Sequence, residues 1–164
     1  MRRPVLILFA AMFAWSLLAF GKPPEPPVTL LIGSVPAAKV HPGDTLVVTI
    51  PITVARGYHV NANPAASDDY IPLEVKLDST DGIRAGDAVY PKGTVWRLEG
   101  TTENLLVYGG DIMVKLRLAV SRSAAAGKRV MKGTLDFQAC NNQVCFLPES
   151  RPLAVTVEVL ATQP

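Results

Sequence analysis

The chain has 164 residues, 49% of them hydrophobic and 18% charged, and its net charge is +2. This length suits one domain with a single core. Arg2 and Arg3 belong to a predicted leader, and without them the 16 basic residues fall to 14, equal to the number of acidic ones. A near-neutral domain without a basic run excludes an electrostatic basis for binding nucleic acid or an anionic membrane.

The first predicted element is a secretory signal peptide over residues 1–21. Met1 to Arg3 supply positive charge, an apolar run follows over Val5 to Phe20, and Ala19-Phe20-Gly21 ends it with small residues. The alternative is an uncleaved anchor, but about sixteen apolar residues are fewer than the roughly twenty that a spanning helix needs. We therefore expect export to the periplasm, or secretion, with no membrane insertion after cleavage.

A proline-rich spacer comes next, because residues 22–27 contain four prolines in six positions. Such a segment is stiff and extended. The remaining chain, residues 28–160, is predicted to form the folded domain.

Within this domain, apolar residues alternate with polar ones, which is typical of half-buried β-strands. Turn residues such as those of His41 to Asp44 separate the strands, and Pro51 within a strand predicts an edge or a bulge. Seven to nine short strands without a convincing helix predict an all-β, two-sheet sandwich. The clearest alternating runs are Leu46 to Val54, Ile112 to Val120 and Val155 to Val159.

The longest stretch without strand character is Trp96 to Asn104. It is polar and begins with a large aromatic residue. An ordinary surface loop and a loop that covers a functional site are both open at this stage.

The two cysteines, Cys140 and Cys145, are separated by Asn141-Asn142-Gln143-Val144, which favours a turn. Four intervening residues would place the cysteines face to face across a hairpin, within reach of a disulfide. Alternation from Leu135 and Phe137 puts Cys140 on the face away from the core unless a bulge intervenes.

Three interpretations of this pair compete. A ring of six residues is a weak structural staple, stabilising by roughly 2 kcal/mol. A metal site would need further ligands, which only His41 and His59 could supply, and nothing in the sequence brings them together; we predict no metal or cofactor. A surface dithiol in an exported protein would instead be open to thiol–disulfide exchange.

Three stretches carry a resemblance to a known family. They are Arg56 to Pro64, the segment from Val89-Tyr90-Pro91-Lys92-Gly93 to Tyr108-Gly109-Gly110, and the hairpin Phe137 to Pro148. The chain resembles the amino-terminal periplasmic domain of DsbD-type thiol:disulfide interchange proteins and the related suppressor-of-copper-sensitivity proteins. The resemblance spans roughly Val28 to Val159.

That resemblance implies an immunoglobulin-like fold that passes electrons from a thioredoxin-like domain to periplasmic oxidoreductases, some of which serve cytochrome c biogenesis. Cys145 would form mixed disulfides and Cys140 would resolve them. Trp96 to Asn104 matches a mobile cap loop of the family. The supporting residues would be His59, Asn61, Trp96, Tyr108 and Phe146.

His59 and Asn61 depart from the family, since some relatives carry tyrosines there. His59 is either a packing residue or a group that adjusts thiolate formation at Cys145. Full-length members also carry a membrane conduit and a thioredoxin-like domain, whereas this chain stops at Pro164.

We expect a monomer whose electron donor and acceptor are separate thioredoxin-like proteins, with protein-disulfide reductase activity if the pair is redox active. The alternative is a non-catalytic β-sandwich interaction module in which the disulfide is structural.

Overall fold

The computed structural model of the chain describes residues 29–97 and 99–161. The predicted signal peptide and proline spacer lie outside these residues. Within them, no helix is long and apolar enough to cross a membrane.

The described residues form twelve β-strands and no helix, so the predicted all-β class is confirmed and the predicted count of seven to nine is too low. The strands build three four-stranded sheets, with the orders β1-β3-β9-β6, β2-β12-β10-β5 and β11-β4-β8-β7. In chain order they are β1 Leu30–Ile32, β2 Ala38–Val40, β3 Thr45–Val54, β4 His59–Asn61, β5 Glu74–Leu77, β6 Ile83–Val89, β7 Thr94–Trp96, β8 Leu105–Tyr108, β9 Gly110–Val120, β10 Gly127–Phe137, β11 Ala139–Cys140 and β12 Glu149–Val159.

Two long antiparallel pairs form the frame of the molecule. Strand β3 pairs with β9 from Thr45↔Ala119 to Val54↔Gly110, and β10 pairs with β12 along its full length. Their alternating apolar residues enter one continuous core, because successive side chains of a strand point to opposite faces. The three alternating runs that the sequence shows most clearly correspond to β3, β9 and β12.

Pro51 lies in β3, which runs between β1 and β9, and the register with β9 is unbroken, so the expected bulge is wrong. The expected edge exists only locally, on the side of the short strand β1. The ladder between β1 and β3 ends at Ile32↔Ile52, and beyond it Gly33 N donates to Pro51 O at 2.8 Å. The missing N–H of Pro51 faces the side on which β1 has already ended, so no ladder bond is lost.

The third sheet is made of strands of two to four residues and carries the cysteine hairpin. Its strand β11 follows β10 after a single residue, Gln138, at which the chain leaves one sheet and enters another. Val60, Tyr108 and Ala139 turn one face of this sheet toward the main core. The opposite face carries His59 and Cys140.

Candidate functional site

A tight hairpin brings the two cysteines together. Phe146 N donates to Ala139 O at 2.8 Å and Asn141 N donates to Val144 O at 2.9 Å. The side chain of Asn141 also accepts bonds from the backbone N–H groups of the two residues that close the turn. Cys140 and Cys145 are directly opposite between these bonds, where strands approach most closely. They form a disulfide with Cα atoms 3.9 Å apart, as the spacing predicts.

The two cysteines differ sharply in exposure. Cys140 is 2% exposed, whereas Cys145 belongs to the exposed residues. As alternation predicts, Cys140 does not belong to the main core cluster. Cys140 is nevertheless buried, because it lies between His59 of β4 on one side and Cys145 on the other. Only the Cys145 side of the disulfide is exposed.

A histidine stands next to the buried cysteine. Strands β4 and β11 pair with His59 directly opposite Cys140, and Cys140 is in turn opposite Cys145. Directly paired residues of antiparallel strands project from the same face, with Cβ atoms about 5 Å apart. His59, Cys140 and Cys145 therefore form one cross-strand row. The interpretation in which His59 adjusts thiolate formation names Cys145, whereas the residue directly opposite His59 is Cys140.

The imidazole of His59 is stacked against an aromatic ring at the end of this row. The Trp96 ring stacks on it, with ring centroids 4.7 Å apart and planes inclined by 29°. Burial lowers the pKa of His59 below its usual 6.5, because desolvation penalises the charged form. Its buried Nδ1 has no hydrogen-bond partner among the residues that the structure describes. The neutral ring thus keeps an unpaired nitrogen on the residue that is directly opposite Cys140.

Phe146 fixes the outgoing arm of the hairpin. Its ring packs against Tyr58, with centroids 5.9 Å apart, and its carbonyl accepts a bond from Gln138 Nε2 at 3.0 Å. The flanking Val144 and Leu147 are instead 51% and 85% exposed. The exposed cysteine is therefore held by a rigid aromatic contact and bordered by free apolar side chains.

Asn61 and Tyr108 brace the neighbouring segments rather than the cysteines. The buried Asn61 amide donates to Ile71 O at 3.1 Å. The Tyr108 hydroxyl donates to Pro91 O at 2.8 Å and accepts from Asn63 N at 3.0 Å, and burial raises its pKa. Both residues keep loops of the third sheet in place.

The predicted cap region begins at the end of β7 and reaches β8. Trp96 is the last residue of β7 and stacks on His59, so the start of this region does contact the site. Further along, Arg97 donates to Asn104 Oδ1 at 3.1 Å, and the Tyr70 hydroxyl donates to the Glu103 carboxylate.

Metal binding finds no support in the part of the chain that is described. No group of three or more His, Cys, Asp or Glu side chains is placed there to hold an ion.

The sequence of the domain matches the family model of the N-terminal region of thiol:disulfide interchange protein DsbD over residues 31–156. The chain belongs to the DsbD N-terminal family. The predicted resemblance is thereby confirmed, and so is the presence of the family's disulfide as Cys140–Cys145. No curated protein matches the chain.

Solved structures of DsbD N-terminal relatives share the fold. The reduced DsbD N-terminal domain of Neisseria meningitidis aligns with a TM-score of 0.50 and 19% identity, covering 81% of this chain and 90% of that one. The N-terminal periplasmic domain of ScsB from Proteus mirabilis aligns with a TM-score of 0.51 and 12% identity, covering 72% of this chain and 43% of that one. The immunoglobulin-like fold is confirmed.

Sequence reasoning missed several residues that shape the site. Tyr58 and Gln138 hold Phe146, and Asn141 closes the turn with its side chain. A signal for Asn141 was available, since asparagine at the start of a short connection favours such side-chain bonds to the backbone. The contacts of Tyr58 and Gln138 depend on the third sheet, whose strands are too short to show an alternating pattern in the sequence.

Proposed function

We propose that this DsbD N-terminal domain relays electrons between a thioredoxin-like donor and periplasmic oxidoreductase acceptors through the Cys140–Cys145 pair. The observation that carries the proposal is the asymmetry of the disulfide, with Cys145 exposed and Cys140 2% exposed. Thiol–disulfide exchange requires in-line access to one sulfur and a leaving group at the other. The asymmetry supports Cys145 as the sulfur that partners reach.

The relay has two halves. In the first, a donor thiolate attacks Sγ of Cys145, the disulfide breaks, and Cys140 leaves as a thiolate that takes a proton. The second donor thiol then attacks its own sulfur in the mixed disulfide, so the donor is oxidised and both cysteines are reduced. Acceptors are reduced by the reverse steps, in which Cys145 attacks and Cys140 resolves. Each half-cycle transfers two electrons and two protons.

The surface around Cys145 suits a protein partner. Val144 and Leu147 border it with exposed apolar side chains, while the Tyr58–Phe146 contact fixes the backbone behind it. Apolar residues around a rigid reactive group are typical of the centre of a protein interface. We propose Phe146 and Trp96 as supports of this surface, and Asn61 and Tyr108 as braces of the loops behind it.

The chain's setting is part of the proposal. Residues 1–21 would be a signal peptide, residues 22–27 a spacer and residues 28–160 the domain, working in the periplasm as a monomer. Such a compartment keeps accessible thiols in exchange with dedicated oxidoreductases.

An alkylation titration tests the relay. The protein is equilibrated in glutathione or dithiothreitol buffers of graded potential, and its free thiols are then alkylated and counted by mass spectrometry. A redox-active pair should change from two free thiols to none at a potential above about −300 mV, the value below which structural disulfides usually lie. A variant with both cysteines replaced by alanine is the control for non-specific alkylation.

One result would contradict the relay. If the pair stays oxidised until strongly reducing dithiol buffers are reached, the disulfide is structural. The low exposure of Cys140 would then protect a structural disulfide from attack by other thiols. The β-sandwich interaction module would be the better description of the protein.

A further inference from the structure

The cross-strand row places His59 beside Cys140, the cysteine that must resolve the mixed disulfide although it is buried. After Cys145 has formed a mixed disulfide with an acceptor, Cys140 must lose its proton and attack Sγ of Cys145. A buried thiol ionises poorly, because burial penalises the thiolate. Cys140 is 2% exposed, so water has little access to take the proton. The resolving step therefore needs a proton acceptor within the protein.

We propose that His59 is this acceptor and takes the proton of Cys140 as a general base. The inference rests on the proposed relay and assigns a residue to the deprotonation of Cys140 in its resolving step. His59 is directly opposite Cys140 in the β4–β11 ladder, so both side chains share one face. Its buried Nδ1 has no partner among the described residues and is available to accept a proton.

The surroundings of His59 keep the ring in the form that a base requires. Its neighbours are Trp96 from β7, Cys140 from β11 and Gly109, where an added Cβ would lie 3.4 Å from Cδ2 of the ring. Of these, only Cys140 titrates, once the disulfide is reduced. Tyr108 pairs with Val60 and belongs to the core face of the sheet. Burial alone lowers the pKa of His59, so the ring is neutral at pH 7.

The step balances as follows. The S–H proton of Cys140 moves to Nδ1 of His59 while the sulfur attacks Sγ of Cys145. The Cys140–Cys145 bond forms, the bond from Cys145 to the acceptor breaks, and its electron pair leaves with the acceptor's thiolate. The domain is oxidised and the acceptor is reduced. In the opposite direction, the imidazolium returns the proton to Cys140 as the disulfide opens.

The stack with Trp96 gives the ring its orientation. A neutral imidazole held against an indole at 4.7 Å cannot swing away from the row without losing that contact. Trp96 is thus a positioning residue for His59. This accounts for a large aromatic residue at the end of β7.

The test follows both chemical events separately without a partner protein. The domain is first reduced with dithiothreitol, freed of it, and mixed with dithiobis-nitrobenzoate, an aromatic disulfide that releases a coloured thiolate. The first thiolate is released when Cys145 attacks the reagent. The second is released when Cys140 attacks the mixed disulfide, and its rate constant does not depend on reagent concentration.

In the unmodified protein, the rate constant of the second thiolate release should change little from about pH 7 to pH 8, because neutral His59 takes the proton of Cys140. The variant His59→Gln should release the second thiolate at least about ten-fold more slowly at pH 7, the low end of general-base effects, since nitrobenzoate thiolate leaves easily. In this variant, the rate constant of the second release should rise about ten-fold per pH unit, because only the thiolate form of Cys140 then attacks. The first release should stay within about two-fold.

His41→Gln is the matched control, because His41 is the chain's only other histidine and is exposed on a turn. It should keep the flat profile. Equal pH slopes for the unmodified protein and His59→Gln would overturn the proposal. If His59→Gln fails to fold, as judged by circular dichroism, the unmodified protein decides alone: a ten-fold rise per pH unit would exclude an internal base.

The two proposals fail in different ways. A pair that equilibrates only at strongly reducing potentials contradicts the relay, while the release rates still report on His59. A pair that resists dithiothreitol altogether contradicts both.

Discussion

At the scale of single residues, the unequal exposure of the two cysteines leads to a prediction about their reactivity. With Cys140→Ser, the remaining Cys145 thiol is exposed and should react with iodoacetamide like a free surface thiol. With Cys145→Ser, the remaining Cys140 thiol is buried and should react at least about ten-fold more slowly. Mass spectrometry of samples quenched over time gives both rates.

The same variants in urea provide the control, because both thiols should then react at similar rates. Equal rates in the folded variants would contradict the assignment of Cys145 as the partner-facing cysteine. With a reduced thioredoxin-like protein that carries a single active-site cysteine, only Cys140→Ser, activated as a mixed disulfide, should form a stable covalent complex.

The sequence predicts the pairing of these cysteines but not their environment. The pairing is local, since four residues suffice for a hairpin and Asn141 favours the turn. The burial of Cys140 and its contact with His59 depend on pairing between strands far apart in the sequence. Alternation along one strand cannot reveal which partner strand it meets, so the sequence does not show that His59 is directly opposite Cys140.

At the scale of strands, the close approach of β10 and β5 depends on Gly133. A Cβ at this position would lie 1.9 Å from Lys76 O of the paired strand. Gly133→Ala should therefore displace β5 and lower the free energy of unfolding by about 3 kcal/mol, the upper end of the usual cost of overpacking. Urea unfolding followed by fluorescence measures the loss.

Lys132→Ala is the control on the same strand, since Lys132 is exposed and its loss should cost less than about 0.5 kcal/mol. Strand β5 does not belong to the sheet of the cysteine hairpin. The alkylation rate of Cys145 in folded Gly133→Ala should therefore match that of the unmodified protein. Unchanged stability would show that the two backbones can separate without cost.

Strand length decides which elements the sequence reveals. Strands β3, β9 and β12 have ten or eleven residues, enough for alternation to be visible. Strands β4, β7, β8 and β11 have two to four residues and show no period. The third sheet, which holds the site, is thus the part of the fold that cannot be predicted from alternation in the sequence. Pro51 illustrates the same limit, because its tolerance depends on where β1 ends.

At the scale of the whole molecule, the domain has a core that does not depend on its disulfide. The long strand pairs bury side chains such as Ile50, Leu116 and Val155 almost completely. Phe137 and Met131 add fully buried large side chains from β10. A core of this kind is the main source of stability in a domain of this length.

The disulfide closes a ring over a sequence separation of only 5, which restricts the unfolded chain little. Loop-closure entropy gives about 2 kcal/mol for such a ring. Reduction should therefore lower the free energy of unfolding by about 2 kcal/mol while the domain stays folded, as urea unfolding with and without dithiothreitol would show.

A relay domain must satisfy this condition, because it spends part of each cycle reduced and must still present Cys145 to its partner in that state. The Cys145→Ser variant supplies the comparison, since it lacks the ring, its new hydroxyl is exposed, and it should match the stability of the reduced protein within about 0.5 kcal/mol. A reduced domain that unfolds in buffer would instead make the disulfide a structural staple. Since the hairpin also holds Phe146 against Tyr58 and Gln138, we expect it to keep its form when the sulfurs separate.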